Sequence, residues 1–332
     1  MPKFLIMRFS SIGDIVLTSP VVRCIKQQVK DAEVHFVTKE NFRSVIEFNP
    51  FIDKKFYLKD DLKSLLAQLK AEQYDCVIDL HKNIRTLWIK MQLGKKSFSF
   101  NKLNFEKWLI VNFKINRLPG VHIVDRYLET VKSFGVKNDG EGLNYFLPDE
   151  LASLSGDTFN ASLQEIPFEQ YKYVAFAIGA QHATKRLPIE KIISICKKSS
   201  MPVILLGGKE DADHAEEISK AVDKNIYNAC GKLSLHQSAA VVKFCNAIIT
   251  HDTGLMHIAA AFNKKIISVW GNTIPEFGMY PYFKNKNESI IVEVKGLNCR
   301  PCSKIGFDKC PKGHFNCMNK IEEDMILKSI MQ

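Results

Sequence analysis

The chain has 332 residues, of which 46% are hydrophobic and 25% charged, and a net charge of +10; these proportions are typical of a folded globular protein and exclude a disordered one. Its length suits two domains of ordinary size. No apolar run approaches the roughly 20 residues that cross a bilayer, and the amino terminus reaches Arg8 too soon for a signal peptide, so we expect a cytoplasmic protein.

Short apolar runs alternate with helical patterns through the first half of the chain. Strands are predicted at residues 4–7, 34–37, 55–58 and 76–80, and helices at residues 15–29, 42–48 and 62–69. Because the strands are apolar along their whole length, we expect a parallel sheet that helices cover on both faces.

A polar, turn-rich passage at residues 150–170 interrupts this alternation, which then starts again. Further strands are predicted at residues 173–178, 203–206, 247–249 and 266–270. The sequence therefore predicts an α/β fold of two Rossmann-like domains that face an interdomain cleft, with ligands beyond the carboxyl ends of the strands. We expect the domains to span residues 1–155 and 165–318, and a terminal helix at 319–332 to pack back on the first domain.

The first strand runs into a turn that carries Asp14 at the start of a helix, with Gly13 beside it. A carboxylate at this position is typical of a helix cap, and it also suits a base that projects into the cleft. The turn lacks the Gly-x-Gly-x-x-Gly pattern of pyrophosphate binding, so it is free for another substrate.

Two strand-to-helix loops of the second half are suited to an anion. Asp252, Thr253 and Gly254 follow an apolar strand and precede a helix, whose first N–H groups and dipole favour negative charge. Lys185 follows another strand and can neutralise a diphosphate. His257 lies four residues after Thr253, where it binds phosphate or serves the structure.

Gly207 and Gly208 follow the next strand and lead into Glu210, a candidate for binding ribose hydroxyls. Asp211 and Asp213 have the spacing of a divalent metal motif, but acidic residues that open a helix explain the pattern more simply.

Positive charge is concentrated between residues 81 and 137, where twelve lysines and arginines face three carboxylates, a net charge of +9. A surface of this kind fits nucleic acid, anionic lipid headgroups or a phosphorylated substrate, or is simply a solvated basic face. The helical pattern at residues 102–114 mixes aromatic residues with lysines and suits either a membrane interface or packing into a domain.

The nine cysteines fall into two groups. Five are scattered through predicted elements and are expected to be reduced core thiols: Cys24, Cys76, Cys196, Cys230 and Cys245. The other four cluster near the carboxyl end, with His314 among them: Cys299, Cys302, Cys310 and Cys317. Their spacing leaves a structural zinc, a labile disulfide and free thiols open.

Three segments together resemble the lipopolysaccharide heptosyltransferase family, and the likeness extends over nearly the whole chain. The segments are residues 8–20, 185–188 and 252–260. The resemblance implies a metal-independent GT-B glycosyltransferase without a cofactor, which moves a heptose from ADP-L-glycero-D-manno-heptose to the lipopolysaccharide inner core with inversion.

The resemblance also implies roles for individual residues. Asp14 matches the catalytic base, Lys185 the phosphate-binding lysine and Glu210 the ribose-binding acid. The donor loop is matched by Asp252, Thr253, Gly254 and His257. Acceptor contacts are expected at Lys82, Arg85 and Arg126.

The implied partners are ADP-heptose, a phosphorylated lipid A and inner-core acceptor, and the inner leaflet of the inner membrane, where the protein is expected to be peripheral; nucleic acid is not expected. A GT-B enzyme that uses a different nucleotide sugar remains an alternative. A nicotinamide-dependent dehydrogenase lacks its glycine pattern here, and a nucleic-acid-binding protein explains the basic window but not the cleft motifs.

Overall fold

The computed structural model describes residues 1–154, 163, 166–284 and 289–331 of the chain. The chain divides into two compact units. The first contains Met1–Lys102, Val121–Phe146 and residues 282–284. The second contains Leu103–Gly120, Leu147–Pro281 and the described residues from 289 onward. Most of the predicted domain boundary, residues 155–162 and 164–165, lies outside the described residues.

The first unit is built on a parallel sheet. Its strands are β1 Lys3–Met7, β2 Glu33–Lys39, β3 Lys54–Leu58, β4 Cys76–Asp79 and β5 Lys96–Ser99. They lie in the order β3-β2-β1-β4-β5, all parallel to their neighbours. The chain order reverses direction between β1 and β4, so the loops after these two strands flank the topological switch point.

Helices connect these strands, as the alternation predicts. The α-helices are α1 Ile12–Val16, α2 Ser19–Gln28, α3 Arg43–Ile46, α4 Leu62–Ala71, α5 Ile84–Leu93 and, later in the chain, α7 Ile123–Leu128. Short 3₁₀ turns occupy Glu40–Phe42 and Glu129–Phe134. The single helix predicted at residues 15–29 is therefore two helices, and Pro20 falls in the first turn of the second, where its missing N–H costs little.

The second unit repeats the plan with one more strand. Its strands are β6 Val174–Ala177, β7 Val203–Leu206, β8 Ile226–Asn228, β9 Ala247–His251, β10 Lys265–Trp270 and β11 Ile290–Glu293. They lie in the order β11-β10-β9-β6-β7-β8, again parallel throughout. The switch point here lies between β6 and β9.

The second unit also has α-helices and short 3₁₀ turns. The α-helices are α6 Asn104–Phe113, α8 Asp149–Ala152, α9 Ile189–Lys198, α10 Ala212–Val222, α11 Leu235–Lys243, α12 Gly254–Ala261, α13 Asn316–Asn319 and α14 Glu323–Met331. The 3₁₀ turns are Ala183–Lys185, Lys209–Asp211 and Pro275–Phe277. Among the described residues, no helix has the length and hydrophobicity that crossing a membrane requires.

Two segments belong to a different unit from the one the sequence predicted. Helix α6 lies in the second unit, where Ile110 packs with Ile274 and Phe277. The terminal helix α14 also belongs to the second unit: the Glu323 carboxylate lies 3.0 Å from Lys198 Nζ and accepts a 2.5 Å hydrogen bond from the Ser194 hydroxyl, both on α9. Neither placement can be read from periodicity, because both depend on contacts between residues far apart in the chain.

Candidate active site

Asp14 is the third residue of α1, directly after the loop that follows β1. Its Oδ1 lies 2.7 Å from a guanidinium nitrogen of Arg8. Its Oδ2 accepts hydrogen bonds from the hydroxyl of Ser11 at 2.9 Å and from the backbone N–H of Ser11 at 3.2 Å. The predicted capping role is therefore present, and the side chain remains 22% exposed. A cap and a reactive carboxylate are compatible in this geometry.

Arg8 holds this loop in place, a role that the sequence pattern did not predict. Its guanidinium donates to the carbonyl of Leu80 at 2.5 Å, to the hydroxyl of Tyr127 at 3.1 Å and to the carbonyl of Ser10 at 2.8 Å. Burial is the largest single influence and lowers the pKa of Arg8, but Asp14, Tyr127 and Asp79 together outweigh it and the pKa is raised. A fixed positive charge therefore lies against one oxygen of Asp14.

The loop after β4 is organised by Asp79, which is fully buried. One carboxylate oxygen of Asp79 accepts from the backbone N–H groups of His81 at 3.1 Å and Lys82 at 2.7 Å. The other lies 2.9 Å from the Nζ of Lys90. Asp79 thus fixes the backbone that presents Lys82 to solvent at the carboxyl end of β4.

His81 is a second residue that the sequence did not single out. Its ring meets Phe9 edge-on, with the ring centroids 5.8 Å apart. Burial, followed by the charges of Arg8 and Lys102, lowers the pKa of His81 to about 4. Its Nδ1 is buried and, among the described residues, has no hydrogen-bond partner. A neutral imidazole therefore lies within the electrostatic reach of Arg8 and Asp14.

The three expected acceptor residues differ in their surroundings. Lys82 is exposed. Arg85 lies over the ring of Phe9, with its guanidinium carbon 5.5 Å from the ring centroid. Arg126 is buried on α7 and donates to the carbonyl of Asn101 at 3.2 Å. The structure thus brings Lys82 and Arg85 to the loops that carry Asp14, whereas the Arg126 side chain is held inside the unit.

In the second unit, Lys185 and Asp252 meet. The Nζ of Lys185 lies 2.5 Å from Oδ2 of Asp252 and 3.4 Å from its backbone carbonyl. The hydroxyl of Thr273 donates to the same carboxylate oxygen at 3.2 Å. Lys185 follows β6 and Asp252 follows β9, so this pair lies at the switch point of the second sheet.

Helix α12 begins at Gly254, directly after Thr253. The hydroxyl of Thr253 lies 3.2 Å from that of Thr250, so it turns toward the strand instead of capping the helix. This arrangement keeps the first N–H groups of α12 available to an anion beside Lys185. His257 lies one turn into the helix and is buried, so its side chain faces the interior of the unit.

Glu210 is exposed on the 3₁₀ turn after β7, and its carboxylate folds over Gly208. Its neighbour Asp211 is buried instead. Asp211 accepts from the N–H of Gly208 at 2.9 Å, and its other oxygen lies 3.2 Å from Arg186. Because Asp211 caps the turn and pairs with an arginine, the helix-opening interpretation of this acidic stretch holds over the metal one.

Asp211 also links the loops after β6 and β7. Its carboxylate occupies the space that a Cβ at Gly179 would need, and its partner Arg186 donates to the carbonyl of Ala180 at 2.7 Å. The next residue, Leu187, donates its N–H to Nε2 of His251 at 3.0 Å. The segment that carries Lys185 is therefore fixed to β7 and β9 at once.

The cysteines follow the predicted division. The five scattered ones are buried and unbridged, which confirms the prediction of core thiols. The four near the carboxyl end are also unbridged, and Cys302 donates to the carbonyl of Cys299 at 2.9 Å. In the described part of the chain, the one group of metal-type ligand atoms within 4.8 Å of one another is that of Glu33, His35 and Glu72, so these four do not form a preformed ligand set.

Several known proteins are similar to this chain. The family model of glycosyltransferase family 9 (heptosyltransferase) matches residues 62–308. A lipopolysaccharide heptosyltransferase 1 from Campylobacter coli is 27% identical over 99% of this chain and 98% of its own. A family 9 glycosyl transferase structure from Veillonella parvula aligns with a TM-score of 0.78 at 22% identity, covering 99% of this chain and 96% of the other. The structure of E. coli ADP-heptose lps heptosyltransferase II aligns with a TM-score of 0.73 at 17% identity, covering 99% and 97%.

Proposed function

Because the chain belongs to glycosyltransferase family 9, the heptosyltransferases, we propose that it transfers a heptose from ADP-L-glycero-D-manno-heptose to the inner core of lipopolysaccharide. The α/β fold with two parallel sheets matches GT-B heptosyltransferase structures. The observation that carries the proposal is the position of the candidate residues. Asp14 and Lys82 follow the two strands that flank one switch point, and Lys185 and Asp252 follow the two that flank the other.

The choice of donor rests on the second unit. Lys185 and the amino end of α12 offer a cation and unpaired N–H groups to a diphosphate, and Glu210 is exposed after β7, where ribose hydroxyls are commonly bound. Among the similar structures, E. coli heptosyltransferase WaaC has been solved with ADP and with ADP-2-deoxy-2-fluoro heptose. These observations support ADP-heptose as the donor.

The choice of acceptor rests on charge and on the relatives. Lys82 and Arg85 place cations beside the Asp14 loop, as a phosphorylated inner core requires. Relatives are named lipopolysaccharide heptosyltransferase 1, 2 and 3, which supports lipopolysaccharide as the class of acceptor. Because this acceptor is anchored in a membrane, the proposal also makes the protein peripheral at the inner face of the inner membrane.

In the proposed mechanism Asp14 is the general base that takes the proton of the acceptor hydroxyl. Its Oδ1 lies 2.7 Å from the Arg8 guanidinium and its Oδ2 accepts hydrogen bonds from Ser11, so these two neighbours orient the carboxylate. Attack from the face opposite the leaving group inverts the sugar carbon. The diphosphate departs with growing negative charge, which Lys185 and the α12 N–H groups stabilise.

The test is to incubate the protein with ADP-heptose and a set of truncated, chemically defined core acceptors and to look for a mass gain of one heptose. We expect product with one acceptor, inversion at the transferred carbon by NMR, and competition by ADP stronger than by UDP or GDP. No product with any acceptor, together with no measurable affinity for ADP, would overturn the proposal. Stronger competition by UDP or GDP would instead favour a different nucleotide sugar.

A further inference from the structure

Helix α5 is apolar on two opposite faces. One face carries Ile89, which is fully buried, and packs into the core of the first unit. The other carries Ile84, Leu87 and Met91, which are 87%, 53% and 70% exposed. At about 100° per residue these three side chains fall within an arc of about 60°, on the side of the helix away from Ile89. We call them the outer stripe.

The outer stripe is more than scattered surface hydrophobicity. Single exposed apolar residues are normal in soluble proteins, but three large ones aligned along one helix face mark an interaction surface. At its amino end the stripe continues into an open groove, which is lined by Leu62, Asn83, Ile84, Arg85 and Trp88. The apolar surface therefore reaches from α5 to the start of α4.

Cations lie at both ends of the outer stripe. Lys82 is exposed two residues before α5, and Lys95 and Lys96 are exposed directly after it. From residue 80 to residue 105 the sequence contains no aspartate or glutamate. An apolar helix face with lysines at its ends is the arrangement by which a helix lies in the interface of an anionic bilayer, because the side chains enter the acyl region and the ammonium groups meet lipid phosphates.

The charges also discriminate among possible occupants. Two copies of this chain that packed stripe against stripe would bring their lysines together, and no carboxylate in this segment could offset the repulsion. We propose that the outer stripe of α5 docks the protein on an anionic lipid bilayer. The proposal rests on the proposed function for the membrane concerned, and it deepens that function by naming the surface that meets the lipid.

The geometry concerns the direction of α5. This helix connects the parallel strands β4 and β5, so it begins at the carboxyl end of the first sheet, the end that carries Asp14 and Lys82. A bilayer against the stripe therefore lies alongside the candidate acceptor residues. An acceptor whose lipid remains in that bilayer reaches Lys82 and Arg85 with its phosphorylated sugar.

The test measures sedimentation of the full-length protein with vesicles. We expect binding to vesicles of phosphatidylethanolamine and phosphatidylglycerol, weaker binding as salt rises, and little binding to phosphatidylcholine alone. A triple variant, Ile84→Gln, Leu87→Gln and Met91→Gln, is expected to lower the partition coefficient by about tenfold or more. Glutamine keeps helix propensity, and circular dichroism and thermal unfolding check that the variant folds.

Matched controls separate the stripe from general surface effects. Met325→Gln on α14 removes an apolar side chain that is 43% exposed outside the stripe and should leave vesicle binding unchanged. Lys95→Gln with Lys96→Gln should weaken binding to anionic vesicles severalfold, whereas Lys63→Gln with Lys70→Gln, two exposed lysines of α4, should not.

The proposal is overturned if the wild-type protein does not bind anionic vesicles, or if the triple variant binds them as well as the wild-type protein does. It is also overturned if sedimentation velocity shows a dimer that the triple variant dissociates while vesicle binding persists, since the stripe would then be a subunit interface. Heptose transfer to a lipid-free acceptor should be unchanged in the triple variant. If no variant transfers heptose but vesicle binding still follows the stripe, the proposed function fails and the docking surface stands.

Discussion

The two ends of the first sheet both hold clusters of charged and polar groups, but the hydrogen bonds of these groups are satisfied to different degrees. The cluster at the amino end of the strands consists of Lys3, Glu33, His35, Lys54 and Glu72. Lys3 lies 3.1 Å from Glu33 and 3.2 Å from Glu72. His35 uses both ring nitrogens, one with Glu33 at 2.7 Å and one with the hydroxyl of Tyr74 at 3.0 Å. This cluster is complete without a ligand.

The cluster at the carboxyl end of the strands does not have all of its hydrogen bonds satisfied. Arg8, Asp14 and Tyr127 are joined there, but the buried Nδ1 of His81 has no hydrogen-bond partner among the described residues, and Lys82 and Arg85 add cations that the neighbouring carboxylates do not match. Buried polar atoms are normally satisfied, so the unsatisfied Nδ1 of His81 distinguishes this end of the sheet from the other. It is also the end at which the proposed function expects the acceptor.

The strongest test of this distinction is Asp14→Asn. We expect the turnover number to fall by about 10²- to 10⁴-fold, because a positioned base contributes this much. The protein should stay folded, with a loss of no more than about 3 kcal/mol in the free energy of unfolding as the buried Arg8 loses its charged partner. The measurements are steady-state transfer kinetics and urea unfolding. A variant that keeps more than about a tenth of the activity would remove Asp14 from the mechanism.

The next test concerns the second unit. Lys185→Met removes the cation that faces the proposed diphosphate, and we expect transfer to fall by about 100-fold and calorimetric ADP affinity to fall with it. Lys191→Met is the matched control, because this lysine of α9 also pairs with a carboxylate, that of Glu323 at 3.5 Å. If both variants behave alike, Lys185 has only a structural role.

At the amino end of the first sheet the expected effect is on stability alone. His35→Ala removes a fully buried ring that is bonded on both nitrogens, and we expect a loss of about 2–4 kcal/mol in the free energy of unfolding. The turnover number of the folded fraction should be unchanged. A marked fall in turnover at full folding would show that the two ends of the sheet are coupled.

The last expected effect is a slope in the pH dependence of stability. Burial, followed by nearby arginines, lowers the pKa of both His81 and His251 to about 4, whereas an unfolded histidine titrates near 6.5. Between these values the unfolded state binds more protons, so stability is complete above about pH 6.5 and decreases as the pH falls toward 4. Each histidine contributes up to about 1.4 kcal/mol per pH unit to the slope of the free energy of unfolding against pH.

Urea unfolding at intervals from pH 7 to pH 4 measures this slope. His81→Gln should reduce it, and an unchanged slope in that variant would show that His81 is solvated. The matched comparison is His214→Gln, a substitution of a histidine that is exposed on α10, which shows whether the change in slope depends on burial.

Local pattern was sufficient to predict strands, helices and the loops at their carboxyl ends, because burial and helix starts leave periodic signals within about ten residues. Asp14, Lys185 and Asp252 were placed at the ends of strands in this way, and their roles stay predictions. The roles of Arg8 and Asp211 could not be predicted in this way, because they come from partners far along the chain: Arg8 reaches Leu80, 72 residues away, and Asp211 reaches Arg186. The same reason explains the placement of α6 and α14, whose hydrophobic patterns specify a helix but not its partner.

The carboxylate of Asp211 packs against the Cα of Gly179. This contact joins the loop after β6 to the loop after β7. A methyl group at position 179 would displace that carboxylate. The hydrogen bond from Gly208 and the ion pair with Arg186 would then be lost. The segment that carries Lys185 and the turn that carries Glu210 therefore shift together or not at all. Any natural sequence that replaces Gly179 is expected to replace Asp211 as well, so the two positions should covary as a pair across related chains.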